Sequence, residues 1–140
     1  MNTLDSIVKK AKVARRRIVL SEGEDPRVVE AAVRAKRMLL AEPVLIGNEN
    51  NIKHQITSFD ANPKSFEIIE PEKSSRLEKY ASHYAVLRKN RPISIEEALT
   101  KVIEPLNFAA MMVKMKDADG TIGGAVATTS ETVSTAMKII

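Results

Sequence analysis

The chain is predicted to be an α/β protein: a parallel sheet with helices on both faces. Two observations predict it. Short apolar runs containing β-branched residues alternate with longer amphipathic segments along the whole sequence. The runs are apolar throughout rather than at every second position, as in strands buried on both faces. Alternation of this kind builds βαβ units. With 140 residues there is length enough for a hydrophobic core, and residues 1–140 read as one α/β domain.

Taken in order, residues 3–13 form a helix candidate. Ile18, Val19 and Leu20 make the first strand, closed by Ser21, Glu22 and Gly23. Asp25 and Pro26 open the next helix as N-cap and first helical residue. That helix turns Val28, Val29, Ala32, Val33, Leu39 and Leu40 inward, with Arg27, Glu30, Arg34 and Arg37 outward. Residues 43–47 form the second strand, residues 48–56 a weak helix, and residues 66–69 the third strand, stopped before Pro71. A long helix over 72–89 carries a stripe at Leu77, Tyr80, Ala81, Tyr84 and Leu87. Ser94 and Glu97 are spaced as a capping box, starting a helix that Pro105 limits. Residues 106–115 form another helix, with Leu106, Ala109, Ala110 and Val113 inward and Met111, Met112 and Met115 as core or interface filler. The fourth strand spans 121–126. Residues 132–140 are an apolar-periodic helix with no Gly, Asn or Pro to stop it, so the sequence reads as the first part of something larger.

Composition narrows the function classes. Cysteine is absent, which removes disulfides and thiolate metal sites and fits a reducing, cytoplasmic setting. His54 and His83 are the only histidines and have no ligands at metal spacing, so no metal is expected. No apolar run approaches a membrane span. The net charge is +4, with cations gathered at Lys9, Lys10, Lys12, Arg15, Arg16 and Arg17. These are either a solvated helix end or a patch for polyanions. Phe59, Phe66 and Phe108 are scattered and Trp is missing, which speaks against base stacking and nucleic-acid binding.

The candidate chemistry lies beyond two strand ends, where open α/β sheets bind ligands. After the fourth strand, Gly123, Gly124 and Ala125 lead into Thr128, Thr129 and Ser130 at the mouth of a helix. Glycines there permit close approach of a ligand or another backbone. Free amides and hydroxyls at a helix start attract anions, such as a phosphate or thioester oxygen. The same residues also read simply as a well-capped helix. After the first strand, Glu22 and Asp25 can orient a base or a cation, or cap the helix. Arg88 extends an apolar stripe, either snorkelling at the helix end or aimed into a cleft to hold an oxyanion. No nucleophile–base pair can be assembled from these residues.

Three segments together resemble the phosphate acetyltransferase and phosphate butyryltransferase (phosphotransacetylase) family. They are Ile18 to Val28 through Ser21-Glu22-Gly23-Glu24-Asp25-Pro26, Leu87-Arg88-Lys89 with the helix start at 94–98, and Ala118-Asp119-Gly120 through Gly124-Ala125-Val126 to Thr128, Thr129 and Thr132. The resemblance covers essentially the whole chain and matches the N-terminal part of longer family members. It implies an isocitrate-dehydrogenase-like first domain of a two-domain enzyme, with the active site between domains. It also implies reversible acyl transfer between coenzyme A and phosphate. In that reaction an Asp deprotonates the thiol, and the thiolate attacks the acyl phosphate. The Asp, and the Ser and Arg that hold the reacting group, belong to the later domain, so no catalytic residue is expected here. The implied substrate-binding residues are Arg88, Gly124, Ala125, Thr128, Thr129 and Ser130. Coenzyme A and phosphate are implied as substrates with no tightly bound cofactor, and completion by a second domain or a homo-oligomer is expected. Two positions depart from the pattern of acetyl-transferring members: Ala127 stands for a His and Ser134 for an Arg. Losing that guanidinium removes a bidentate oxyanion contact. The alternatives are a non-catalytic regulatory or oligomerisation half-domain and a basic polyanion-binding module led by Arg15–Arg17.

Overall fold

A computed structural model describes residues 2–88, 90–125 and 129–140. Four parallel strands form one sheet in the order β3-β2-β1-β4. They are β1 (Arg16–Leu20), β2 (Ala41–Ile46), β3 (Glu67–Ile69) and β4 (Gly120–Ile122). Successive strand residues point to opposite faces. Val19, Val44, Ile46 and Ile69 therefore join one core, and Leu20 and Leu45 the other.

The helices follow the same division. On one face α2 (Pro26–Arg37) contributes Val29, Ala32 and Val33, and α3 (Glu49–Ser58) contributes Ile52 and Ile56. The opposite face takes α4 (Leu77–Leu87), α5 (Ile95–Val102) and α6 (Pro105–Lys114), with Ile139 of α7 (Thr129–Ile139). Tyr80 and Phe108 are fully buried at its centre, their rings 5.1 Å apart. The N-terminal helix α1 (Thr3–Ala14) buries none of its residues.

The chain first winds β1-α2-β2-α3-β3 in one direction. It then returns across the other face and lays β4 on the free side of β1. The winding reverses between β1 and β4, and in such sheets a crevice opens beyond the carboxyl ends of those two strands.

Helix ends depart most from the sequence reading. Leu39 and Leu40 do not lie on the inward side of α2, because the helix stops at Arg37. Leu39 is left-handed (φ 59°), its N–H donates to Lys36 O, and the Leu40 N–H donates to Ala35 O. That is a Schellman closure without its usual glycine. Asp60 and Lys116 end α3 and α6 in the same way, with φ of 58° and 63°. The long helix expected over 72–89 is a 3-10 turn at Pro71–Lys73 followed by α4, which starts only at Leu77. Ser74 is extended (φ −75°, ψ 136°) and separates the two. Met111 and Met112 are fully buried, which makes them core rather than interface filler. The exposed apolar side chains near the chain's end are instead Ile122, Val133, Met137 and Ile140.

At the amino ends of the strands, Arg17 fastens three of them together. Its guanidinium donates to both carboxylate oxygens of Glu67, at 2.7 and 2.6 Å, and to Asp117 O at 2.8 Å. The Arg17 N–H donates to Asp119 Oδ2, and the Asp119 N–H donates back to Arg17 O. The Tyr80 hydroxyl donates to Asp117 Oδ2. Hydrogen bonding to Arg17 holds the Glu67 carboxyl below its ordinary range, and burial followed by the Asp117 bond pushes the Tyr80 phenol up. Arg17 is thus a structural cation, and the run Arg15–Arg17 is not a uniform solvent-facing patch.

Candidate active site

A cavity of about 950 Å³ occupies the crevice at the winding reversal. Its floor is the β1 end, Ser21 to Asp25, together with Ile46 at the end of β2. One wall is the start of α6, from Glu104 to Asn107, and the other is α7 through Glu131, Ser134, Thr135 and Lys138.

Close packing fixes the floor. The Gly23 N–H donates to Ile46 O at 3.1 Å. A Cβ on Gly23 would stand 2.6 Å from that oxygen and 2.9 Å from Ile46 N, so only glycine lets this loop lie on the β2 end. Asp25 caps α2 by accepting from the Arg27 N–H at 2.9 Å, and it pairs with the Arg27 guanidinium at 2.7 Å. Hydrogen bonds from the Arg27 side chain, then from its backbone N–H, hold the Asp25 carboxyl down to about 2.

The glycine bend is tied to this floor. The Ala125 N–H donates to Glu22 Oε1 at 2.6 Å, and Ala125 O accepts from Arg27 Nη2 at 2.9 Å. The bend therefore does hold an oxyanion, and that oxyanion is the protein's own Glu22 carboxylate. A substrate anion has to bind beside Glu22 or displace it. Gly124 has φ 101°, a conformation that disfavours a side chain. Gly123 and Gly124 were expected inside the fourth strand, but β4 ends at Ile122. The space saved at Gly123 goes to the protein itself: a Cβ there would meet Leu106 Cδ2 and Ser21 Oγ, each at 2.9 Å.

Of the residues singled out in the sequence, Gly124 and Ala125 lie exposed at the bend. Thr129 begins α7, and Ser130 is exposed in its first turn. Thr128 lies outside the described residues, as does Ala127. Arg88, at the end of α4, is half-buried. It lines two smaller cavities, of about 380 and 180 Å³, rather than the main crevice. The 380 Å³ cavity is bounded by Leu87, Arg88, Asn90, Arg91 and Lys138. Sequence reasoning missed Lys138. Its signal was helical spacing, because it falls one turn beyond Ser134 on the same face of α7. Glu104 and Asn107 were also missed; they sit at a helix start, and Asn107 Nδ2 donates to Glu104 Oε2 at 2.9 Å. No group of three or more His, Cys, Asp or Glu among the described residues is placed to hold a metal ion.

A parallel α/β sheet with its crevice at the winding reversal, floored by an acidic loop and walled by the start of α6 and by α7, defines a small-molecule-binding domain. Known proteins narrow the class. Residues 2–140 match the family Phosphate acetyl/butaryl transferase, and the chain belongs to that family. It is 38% identical over 140 residues to the phosphate acetyltransferase of Clostridium acetobutylicum, covering all of this chain and 42% of that one. Against the phosphate acetyltransferase of Paracoccus denitrificans the identity is 41%, with 40% of that protein covered. The fold superposes on a phosphotransacetylase from Streptococcus pyogenes with a TM-score of 0.93 at 30% identity, over the whole of this chain and 43% of that chain. The chain thus spans about 40% of the length of such relatives.

Proposed function

We propose that the chain is the N-terminal α/β portion of a cytoplasmic phosphate acyltransferase that moves an acetyl or butyryl group between coenzyme A and inorganic phosphate. The observation that carries this reading is the 950 Å³ crevice at the carboxyl ends of β1 and β4, in a chain matched over residues 2–140 by the family. Its contribution is binding of the phosphate-bearing substrate. The residues assigned to it are Gly124, Ala125, Thr128, Thr129 and Ser130, with Arg88 supplying charge from the neighbouring cavity. The base that makes the coenzyme A thiolate lies in the portion of the family beyond this chain. The thiolate then adds to the acyl carbonyl, the tetrahedral oxyanion collapses, and phosphate leaves with its electron pair.

An assay of acyl-CoA formation from acetyl or butyryl phosphate tests this. The 140 residues are expected to bind acetyl phosphate saturably and not to turn it over, because groups supplied by two domains act together. Sustained turnover by these residues alone contradicts the missing-base argument, and absence of any binding contradicts the assignment. A second reading, an oligomerisation module, is favoured by the exposed Val133, Met137 and Ile140 of the last helix and its end. Sedimentation as a monomer at high concentration counts against it.

A further inference from the structure

The main crevice is poorly suited to a phosphate over most of its surface. Glu22, Glu24, Asp25, Glu104 and Glu131 contribute carboxylates to its lining, against one cation, Lys138, among the described lining residues. A dianion placed among those carboxylates is repelled, and the repulsion strengthens as water is excluded. Positive charge collects at one end only. Lys138 lines both the crevice and the adjoining cavity, where Arg88 and Arg91 are its neighbours. Its ammonium sits on a long flexible stem and can serve either space. Ser134, four residues earlier, lines the crevice on the same face of α7.

We propose that Lys138 is a substrate-binding residue, holding a phosphate group at the junction where the crevice meets the Arg88–Arg91 cavity. This rests on the reading above that phosphate-bearing substrates enter here. The acid-lined remainder of the crevice then takes the uncharged part of the ligand. Two sources supply the same phosphate chemistry: the small substrate, as inorganic or acyl phosphate, and the phosphate groups of coenzyme A.

The test is titration of the 140-residue chain with inorganic phosphate and, separately, with coenzyme A, followed by backbone amide shifts. Lys138→Ala is expected to weaken binding of at least one of them by about tenfold, the loss of one charge-assisted contact. Lys138→Arg should stay within about threefold of the parent, since charge and reach are kept. Ser134→Arg placed on Lys138→Ala should restore binding from the same helix face. Loss confined to inorganic phosphate assigns the site to the small substrate, and loss confined to coenzyme A assigns it to the carrier. Unchanged binding of both by Lys138→Ala overturns the proposal, as does a loss that Lys138→Arg fails to spare. Unperturbed melting of each variant shows that folding is intact, as the exposure of Lys138 leads one to expect. Saturable binding that Lys138→Ala leaves unchanged removes this residue's role and leaves the assigned reaction standing, whereas absence of any binding by the parent chain overturns both.

Discussion

Replacing Gly23 by Ala tests how the crevice floor is built. The added Cβ would stand 2.6 Å from Ile46 O, 2.9 Å from Ile46 N and 3.1 Å from Leu45 Cβ. Two of those atoms belong to the backbone of β2, which is paired on both sides by β1 and β3 and cannot retreat. The loop must lift instead. Overpacking of this sort costs about 1–3 kcal/mol. Lifting also breaks the bond from the Gly23 N–H to Ile46 O, worth about 1 kcal/mol. The total is about 2–4 kcal/mol, a fall in Tm on the order of 5–15 °C for a domain of this size. Thermal unfolding followed by circular dichroism measures it. Gly124→Ala provides the contrast. Its nearest contact is Thr132 Oγ1 at 3.7 Å, so only the backbone strain at φ 101° opposes the side chain. That costs about 1–2 kcal/mol. A Gly23→Ala protein melting within about 1 °C of the parent, or Gly124→Ala proving the more damaging, would refute the packing argument. Lifting the loop also carries Glu22 away from the Ala125 N–H, so the amide shift of Ala125 should move in Gly23→Ala.

Three further outcomes are expected. Asp25, held down from 3.8 to about 2 by Arg27, gives stability that is complete above its unfolded value and lost as pH falls from 3.8 toward 2. Asp25→Asn keeps the cap but should flatten that part of the pH profile of Tm; an unaltered acid limb would argue against the linkage. Arg17→Lys keeps the charge but not the two-pronged bond to Glu67, and should cost about 1 kcal/mol in urea unfolding, a modest figure because the pair is partly solvated. Lys116→Gly relieves a left-handed residue at the end of α6 and should stabilise by about 0.5–1 kcal/mol, with a drop in stability counting against the Schellman assignment.

The sheet and its helices were legible because periodicity is local. The first helix after β1 announced itself through Asp25 and Pro26, and the structure has that N-cap and that first residue. What failed was chemistry that depends on distant partners. Strand β1 begins at Arg16, two residues before the apolar run, because Arg17 finds Glu67 and Asp117 across the sheet. Nothing local in two arginines signals a strand. Helix ends at Leu39, Asp60 and Lys116 were hidden because the left-handed residue is not glycine. Strand β4 lies at the sheet edge, paired to β1 alone over three residues, so the apolar pattern beyond Ile122 overstated it. At the site, the sequence singled out the glycine bend but not its occupant. Glu22 and Ala125 are 103 positions apart, and no local pattern pairs them. Lys138 escaped notice because its neighbours Arg88 and Arg91 come from another helix end, brought close only by the packing of α7 against α4.

Mapping acetyl phosphate onto the isotope-labelled chain by amide chemical shifts is the most direct test of whether this crevice receives the substrate. Saturable changes are expected at the β1 end, Gly124 and Ala125, the start of α6, one face of α7 and the Arg88 and Arg91 positions beside it, and nowhere else. Changes centred on the basic N-terminal segment around Lys9 to Arg16, with the crevice silent, would contradict it.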